Sequence, residues 1–196
     1  MQRQRQAWFD GQVDLDPARL IFLDETWAST AMARLRGRAP IGERLRMGIP
    51  HGHWKTTTFI AGLRPSGVVA PFVPDGPINR RAFETYIERV LVPELRPGDI
   101  VVMDNLSSHK GPAVRRMIEA AGATLLYLPP CSPDFSPIEN AFSKLKAGLR
   151  KAAERTIEAL WQTIGRLIDT FTPTECQNFF NAAGYELDTV EPVSAT

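Results

Sequence analysis

Two apolar runs, each interrupted or ended by a single aspartate, constrain this chain more than any other feature. The first run, residues 20–26, contains Asp24, and the second, residues 100–103, is followed directly by Asp104. Short, nearly uniform apolar runs predict central strands that are covered on both faces. A buried carboxylate is costly unless it is paired or binds a metal. One such aspartate is explained by a strand end that faces solvent or by a turn cap, whereas two on neighbouring strands favour a shared site.

The remaining pattern predicts the elements around these two strands. Residues 56–63 are rich in β-branched residues, and the turn-forming residues 64–67 join them to residues 68–73 as an antiparallel hairpin. The apolar run at residues 124–128 predicts one more strand. Helical spacing predicts helices at residues 79–95, 112–121, 136–153, 156–171 and 174–183. This order predicts an α/β fold in which a mixed sheet carries helices on its faces.

A third carboxylate, Glu139, has two interpretations. Residues 136–139 have the sequence of a capping box with proline at the first helical position, which explains the acid structurally. On a helix, however, Ser143, Lys146 and Arg150 fall within about 40° of Glu139. The face that carries the acid therefore also carries two bases spaced to meet a phosphate backbone. A glutamate that only caps the helix does not require basic residues on the same face. Both interpretations stay open.

Three acids of this kind fit metal-dependent phosphodiester chemistry. Mg²⁺ binds a few carboxylate oxygens and keeps water molecules as its other ligands. Two such ions, about 3.5–4 Å apart, can hold the attacking and leaving oxygens of an in-line displacement. We therefore expect Asp24, Asp104 and Glu139 to be both the catalytic residues and the metal ligands, with Mg²⁺ or Mn²⁺ as the cofactor.

Three separated motifs lie in order along the chain and contain these acids. They are Leu23-Asp24-Glu25-Thr26, then Met103-Asp104-Asn105 followed by Ser108-His109-Lys110, then Leu128-Pro129-Pro130 followed by Ser132-Pro133-Asp134 and Pro137-Ile138-Glu139. In this the chain resembles transposases of the IS630 family, in the Tc1/mariner superfamily, over about residues 15–186. The 34 residues between the second and third acids are a spacing that this superfamily uses. The sequence departs from the family at Cys131, at Phe135-Ser136 and at Asn140, none of which belongs to the triad.

The resemblance implies a fold, a cofactor and a reaction. The implied fold is the ribonuclease H-like fold, a mixed five-stranded sheet flanked by helices, which agrees with the element order. The implied triad binds two divalent ions. The implied reaction is cleavage of transposon ends and strand transfer into a target that contains TA. Two alternatives remain: an endonuclease of the same fold that hydrolyses without joining, and an inactive DNA-binding remnant of a transposase.

Basic residues are concentrated in two stretches, although the net charge is only +1. Between residues 27 and 55, six basic residues accompany the single acid Glu43, and a second group falls on the predicted helix of Glu139. Local positive charge fits a polyanion partner, and a solvated surface explains it equally well. We expect the partner to be DNA. The expected contacts are Arg34, Arg36, Arg38, Arg44, Arg46, Lys146, Arg150 and His109, the last of which is equally well explained as a surface loop residue.

The predicted organisation is an N-terminal linker remnant at residues 1–19, the catalytic domain at residues 20–186 and a C-terminal tail at residues 187–196. Members of the resembled family carry a helix-turn-helix region before the first acid, so that region is expected to be missing from this chain. A homodimer is a possible assembly. With no apolar run of about 18 residues, no export signal and two cysteines, the sequence predicts a reduced, cytoplasmic protein without a membrane span, bacterial and associated with the nucleoid when active.

Overall fold

A five-stranded mixed sheet forms the centre of the computed structural model, which describes residues 2–48, 51–105 and 111–186. The strand order is β3-β2-β1-β4-β5. Strands β1, β2 and β3 are antiparallel, whereas β4 and β5 run parallel to β1. The strands are β1 (Leu20–Ser29), β2 (Thr56–Arg64), β3 (Gly67–Phe72), β4 (Ile100–Met103) and β5 (Thr124–Tyr127). The predicted hairpin-bearing mixed sheet is confirmed.

Helices cover both faces of this sheet because alternate residues of its central strands point to opposite sides. Leu20 and Phe22 of β1 join the larger core, while Ile21 and Leu23 join the other. The larger core is formed with α4 (Pro137–Ala152), α5 (Ile157–Ile168) and α6 (Pro173–Ala182). The second core is formed with α2 (Arg80–Tyr86) and α3 (Pro112–Ala120). In the described part of the chain, no helix combines the length and apolar character that a bilayer crossing needs.

The single helix predicted at residues 79–95 is wrong in its second half. After α2 the chain forms one π-helical turn, Ile87–Leu91, and then a 3₁₀ turn, Val92–Glu94. Pro93 lies in that last turn and has no backbone N–H to continue an α-helix. Asn79 does cap α2 as predicted, since its side chain accepts a hydrogen bond from the backbone N–H of Ala82 at 2.9 Å.

Much of the segment predicted as an N-terminal linker remnant forms a helix, α1 (Gln2–Gln12), which contacts the rest of the chain. Trp8 Nε1 donates a hydrogen bond to the Tyr185 hydroxyl at 3.0 Å. Gln12 Nε2 donates to the carbonyl oxygens of Ala183 and Gly184 at 3.1 and 2.7 Å. A mostly polar helix of this kind is held by its tertiary contacts rather than by its own apolar face.

A buried ion pair joins the sheet to the segment before β4, at the end of that strand away from Asp104. Arg64 donates to both carboxylate oxygens of Asp99, at 3.1 and 2.6 Å, and the two side chains are only 6% and 5% exposed. Burial opposes ionisation of Asp99, but hydrogen bonds from Arg64 and from the backbone N–H of Arg96 outweigh it and lower the pKa of this carboxyl. The pair is therefore ionised at neutral pH.

Replacing Asp99 with Asn is expected to lower the free energy of unfolding by about 3–5 kcal/mol, because it leaves the buried Arg64 charge uncompensated. Urea denaturation at pH 7 measures the loss. Since the folded-state pKa of Asp99 is depressed, its contribution is present above the unfolded pKa of about 3.9 and is lost as the pH falls through the folded value. Glu119→Gln, which removes the exposed Arg115–Glu119 pair, is the control and should cost less than about 1 kcal/mol. Equal small losses for both variants would contradict the prediction.

Candidate active site

Asp24 and Asp104 lie side by side at the point where β4 ends and the neighbouring parallel strand β1 continues. The last paired residues of β1 and β4 are Leu23 and Met103, so the two aspartates are the next residues in register. They continue the series of Phe22 and Val102, whose side chains face α4 in the larger core. Both aspartates are partly buried. The prediction that the two acid-bearing strands are neighbours is confirmed.

The Asp24 carboxylate is also oriented by the backbone of the next residue. Its Oδ1 accepts a hydrogen bond from the backbone N–H of Glu25 at 2.7 Å. Such a contact to a charged oxygen is shorter and stronger than one between neutral groups.

Glu139 lies in the first turn of α4 and is exposed. The Ser136 side chain makes no capping hydrogen bond to this helix, and the backbone N–H of Glu139 donates instead to the Ser136 carbonyl oxygen at 3.2 Å. The serine half of the predicted capping box is therefore absent. Pro137 does occupy the first helical position, as predicted.

One cleft of about 380 Å³ contains all three predicted acids. Asp24 and Asp104 contribute from the sheet, and Glu139 contributes from α4. The segment between β5 and α4 forms much of the remaining wall. The lining residues are Asp24, Asp104, Asn105, Leu128, Pro129, Pro130, Cys131, Ser132, Pro133, Ser136 and Glu139.

The oxygen donors of this cleft fit a hard divalent cation such as Mg²⁺ or Mn²⁺. Asn105 Oδ1 adds to the carboxylates: it is buried and, within the described residues, accepts no hydrogen bond. Across residues 2–48, 51–105 and 111–186, no group of three or more His, Cys, Asp or Glu side chains is placed so that it could hold a metal ion. Mg²⁺ is usually bound through one or two carboxylates together with water and substrate phosphates.

The two basic residues predicted to share a face of α4 with Glu139 are partly exposed on that helix. Phe142, Leu145 and Leu149 are buried, while Lys146 and Arg150 are only half-buried. The Lys146 ammonium lies 5.3 Å from the centre of the Trp27 ring. Trp27 is itself 55% exposed, three residues after Asp24. Lys146 is thus in contact with β1, the strand that carries Asp24.

The other predicted DNA contacts lie on the segment between β1 and β2. All five arginines are exposed on a segment without helix or strand, far along the chain from Glu139: Arg34, Arg36, Arg38, Arg44 and Arg46. Their exposure fits either a DNA contact or a solvated surface. His109 lies outside the described residues.

Sequence reasoning missed the residues that hold the wall of the cleft. Arg5 of α1 forms an ion pair with Asp134 at 2.7 Å, in the segment that leads from the cleft to α4. The hydrogen bond from Arg5 lowers the pKa of the Asp134 carboxyl. Arg5 lies in a polar stretch without periodicity, so the sequence offered no signal for this contact.

Comparison with solved structures identifies the class of fold. The chain is similar to the mariner Mos1 paired-end complex with Mg (TM-score 0.72, 19% identity, 92% of this chain and 58% of that one). It is similar to a pre-cleavage Mos1 transpososome, with a TM-score of 0.71 and 15% identity over 92% of this chain and 56% of that one. It is also similar to the Mos1 catalytic domain, with a TM-score of 0.63 and 16% identity over 93% of this chain and 88% of that one. The chain thus spans a little over half the length of the Mos1 chains in those complexes. The sheet and its flanking helices form a ribonuclease H-like domain, as expected.

The sequence comparison gives the family. The family model described as DDE superfamily endonuclease matches residues 19–161. The chain belongs to the DDE superfamily endonuclease family, which confirms the predicted enzyme class. Among curated proteins, no significant match to the chain was found.

Proposed function

We propose that this chain is the catalytic domain of a cut-and-paste DNA transposase, with Asp24, Asp104 and Glu139 as its catalytic residues. One observation carries the proposal: three acids from three separated motifs line a single cleft of a DDE-family domain. Similar structures include a Mos1 strand transfer complex. That similarity supports DNA strand transfer as well as DNA cleavage.

The three acids would hold two divalent ions, and similar Mos1 structures were obtained with Mg or Mn. When bound, the ions would supply charge neutralisation at the phosphate and lower the pKa of a water molecule. Asp24 is fixed within β1 and Asp104 directly after β4, whereas Glu139 approaches from a helix on the same face of the sheet. The three carboxylates therefore orient the attacking and leaving oxygens from two sides of the cleft.

Two successive displacements at phosphorus follow from this arrangement. In the first, water attacks a phosphodiester at the transposon end, the bond from phosphorus to the 3′ oxygen breaks, and that oxygen leaves with a proton as a 3′-OH. In the second, this hydroxyl loses its proton and attacks a target phosphodiester, whose own 3′ oxygen leaves and is protonated. The expected target contains TA.

A strand-transfer assay tests the proposal and separates its alternatives. The substrates are a duplex with a pre-cleaved transposon end that carries a 3′-OH, an uncleaved duplex, and a target plasmid. We expect cleavage and joining with Mg²⁺ or Mn²⁺, and binding without turnover with Ca²⁺, which takes a looser geometry. Cleavage without joining would identify an endonuclease, whereas DNA binding without either reaction would identify an inactive remnant. Full activity in excess chelator would contradict the metal mechanism.

The basic face on α4 is proposed to contact the DNA backbone, which positions DNA without reading its bases. This chain is expected to bind DNA with little sequence preference and a dissociation constant of roughly 10⁻⁴–10⁻⁶ M. Selectivity for terminal repeats is assigned to a helix-turn-helix region of the kind that members of the resembled family carry. That region and a homodimer both stay predictions.

Replacing Lys146 and Arg150 together with Ala is expected to flatten the log–log salt dependence of DNA binding by about two units, if each meets one phosphate. A gel-shift salt titration with a terminal-repeat duplex and a scrambled duplex measures the slope. The control is the double variant Arg81→Ala and Arg116→Ala, which removes the same charge from exposed positions on α2 and α3. Equal flattening in both double variants, or strong preference for the repeat, would contradict the assignment.

A further inference from the structure

Arg5 of α1 contacts residues 131–135, the segment that forms part of the wall of the cleft. Its Nη1 donates hydrogen bonds to the Cys131 carbonyl oxygen at 3.0 Å, to Ser132 Oγ at 2.8 Å and to Asp134 Oδ1 at 2.9 Å. Its Nη2 donates to Asp134 Oδ2 at 2.7 Å. The guanidinium also lies 5.0 Å from the centre of the Phe135 ring. A bidentate fork of this kind fixes geometry as well as charge.

Residues 131–135 lead into α4, the helix that carries the third acid. Cys131 and Ser132 line the cleft, and α4, which carries Glu139, begins two residues after the segment ends. Cys131 has a φ of 55°, a left-handed backbone conformation that is unfavourable for a residue with a Cβ. Such a conformation persists only where the surroundings hold it. The Arg5 contact to the Cys131 carbonyl is one such restraint.

A second link from α1 reaches the same segment. Trp8 Nε1 donates to the Tyr185 hydroxyl at 3.0 Å, and that hydroxyl donates to the Phe135 carbonyl oxygen, also at 3.0 Å. Burial raises the pKa of Tyr185, so the hydroxyl keeps its proton and remains a donor. Helix α1 therefore holds the segment at both of its ends.

We propose that Arg5 is a positioning residue for the catalytic site, which fixes residues 131–135 and through them places Glu139 against Asp24 and Asp104. The inference rests on the proposed function of the three acids. Arg5 touches none of the acids and acts through the segment alone. The Arg5 and Asp134 side chains are 33% and 55% exposed, and pairs so exposed add little to overall stability. The contact is thus placed to set local geometry rather than to hold the fold.

The test measures metal binding, local exchange and stability on the whole chain. The variants are Arg5→Ala, Asp134→Asn and the combination of the two, with Arg3→Ala as a control that removes an exposed arginine from the same helix. Mn²⁺ affinity is measured by titration without DNA, hydrogen exchange is followed in peptides that cover residues 131–136, and the melting temperature is recorded. Asp24→Asn is the reference for loss of a direct ligand.

We expect Arg5→Ala to weaken Mn²⁺ binding about ten- to hundredfold, the usual effect of removing an outer contact that orients a ligand. Exchange in residues 131–136 should become faster, and the melting temperature should stay close to that of Arg3→Ala. Asp134→Asn should also weaken Mn²⁺ binding. The double variant should bind Mn²⁺ no more weakly than Arg5→Ala, because the two substitutions remove the same contact.

The Mn²⁺ titrations test the positioning role of Arg5 separately from the metal-binding role of the three acids. If Asp24→Asn weakens Mn²⁺ binding but Arg5→Ala binds Mn²⁺ as Arg3→Ala does, Arg5 has no positioning role. If Asp24→Asn leaves Mn²⁺ binding unchanged, the proposed metal-binding triad is wrong. Should Arg5→Ala fail to fold, Asp134→Asn carries the test from the other side of the contact, and unchanged Mn²⁺ affinity and exchange in that variant overturn the inference.

Discussion

Replacing either Asp24 or Asp104 with Asn is expected to reduce cleavage of a transposon-end duplex by about a thousandfold or more. The amide keeps the size of the side chain but removes the charge that would hold the divalent ions. These ions contribute several kcal/mol of transition-state stabilisation, and each 1.36 kcal/mol corresponds to about tenfold in rate. The measurement is a single-turnover cleavage rate at saturating Mg²⁺, beside the melting temperature of each variant.

A matched substitution outside the cleft distinguishes loss of a catalytic acid from a general effect of replacing an aspartate. Asp169→Asn changes an exposed aspartate at the C-terminal end of α5, away from the cleft, and should retain the parental rate. Both site variants should fold, because Asp24 and Asp104 are only partly buried and lie outside the fully buried core. Near-normal cleavage by either variant would remove that residue from the triad.

Glu139→Gln is expected to lose cleavage to a similar extent while keeping its stability. Glutamine preserves the shape of the side chain and is also acceptable at the third position of a capping box. A purely structural Glu139 would therefore tolerate the change, whereas a metal ligand would not. The Ser136 side chain makes no capping bond, which already weakens the structural interpretation. Cleavage rate and urea denaturation, measured on the same preparation, distinguish the two roles.

Glu158→Gln is the control for this variant. Glu158 lies in the first turn of α5, so it has the same favourable position near a helix N-terminus as Glu139 but is not among the residues that line the cleft. Its replacement should leave the cleavage rate unchanged. A fully active Glu139→Gln enzyme would return that residue to a structural role.

The strands and the two aspartates were predictable because their signals are local. A run such as Ile100–Met103 has too many apolar residues in succession to face water, and an aspartate next to it stands out in any reading. The hairpin of β2 and β3 was likewise visible from β-branched residues on both sides of a turn. Neighbouring placement of β1 and β4 followed from the usual rules of connection between strands.

The features that were not predictable depend on contacts between distant parts of the chain. Helix α1 is polar, and the partners of Arg5 and Trp8 lie 126 to 177 residues further along. The choice between cap and catalysis at Glu139 depended on which way two side chains point, and sequence spacing does not decide that. The π-helical turn at Ile87–Leu91 has no distinct periodicity over so short a stretch.

The contact between α1 and Tyr185 also sets an order of events during synthesis. The chain emerges from its N-terminus, so Trp8 and Gln12 are made long before the residues at 183–185 that they bind. Because closing so long a loop is entropically unfavourable until the intervening domain has folded, α1 docks late. The link from Trp8 through Tyr185 to Phe135 can form only then. A ribosome-bound chain can thus contain all three acids before this link to the wall of the cleft exists.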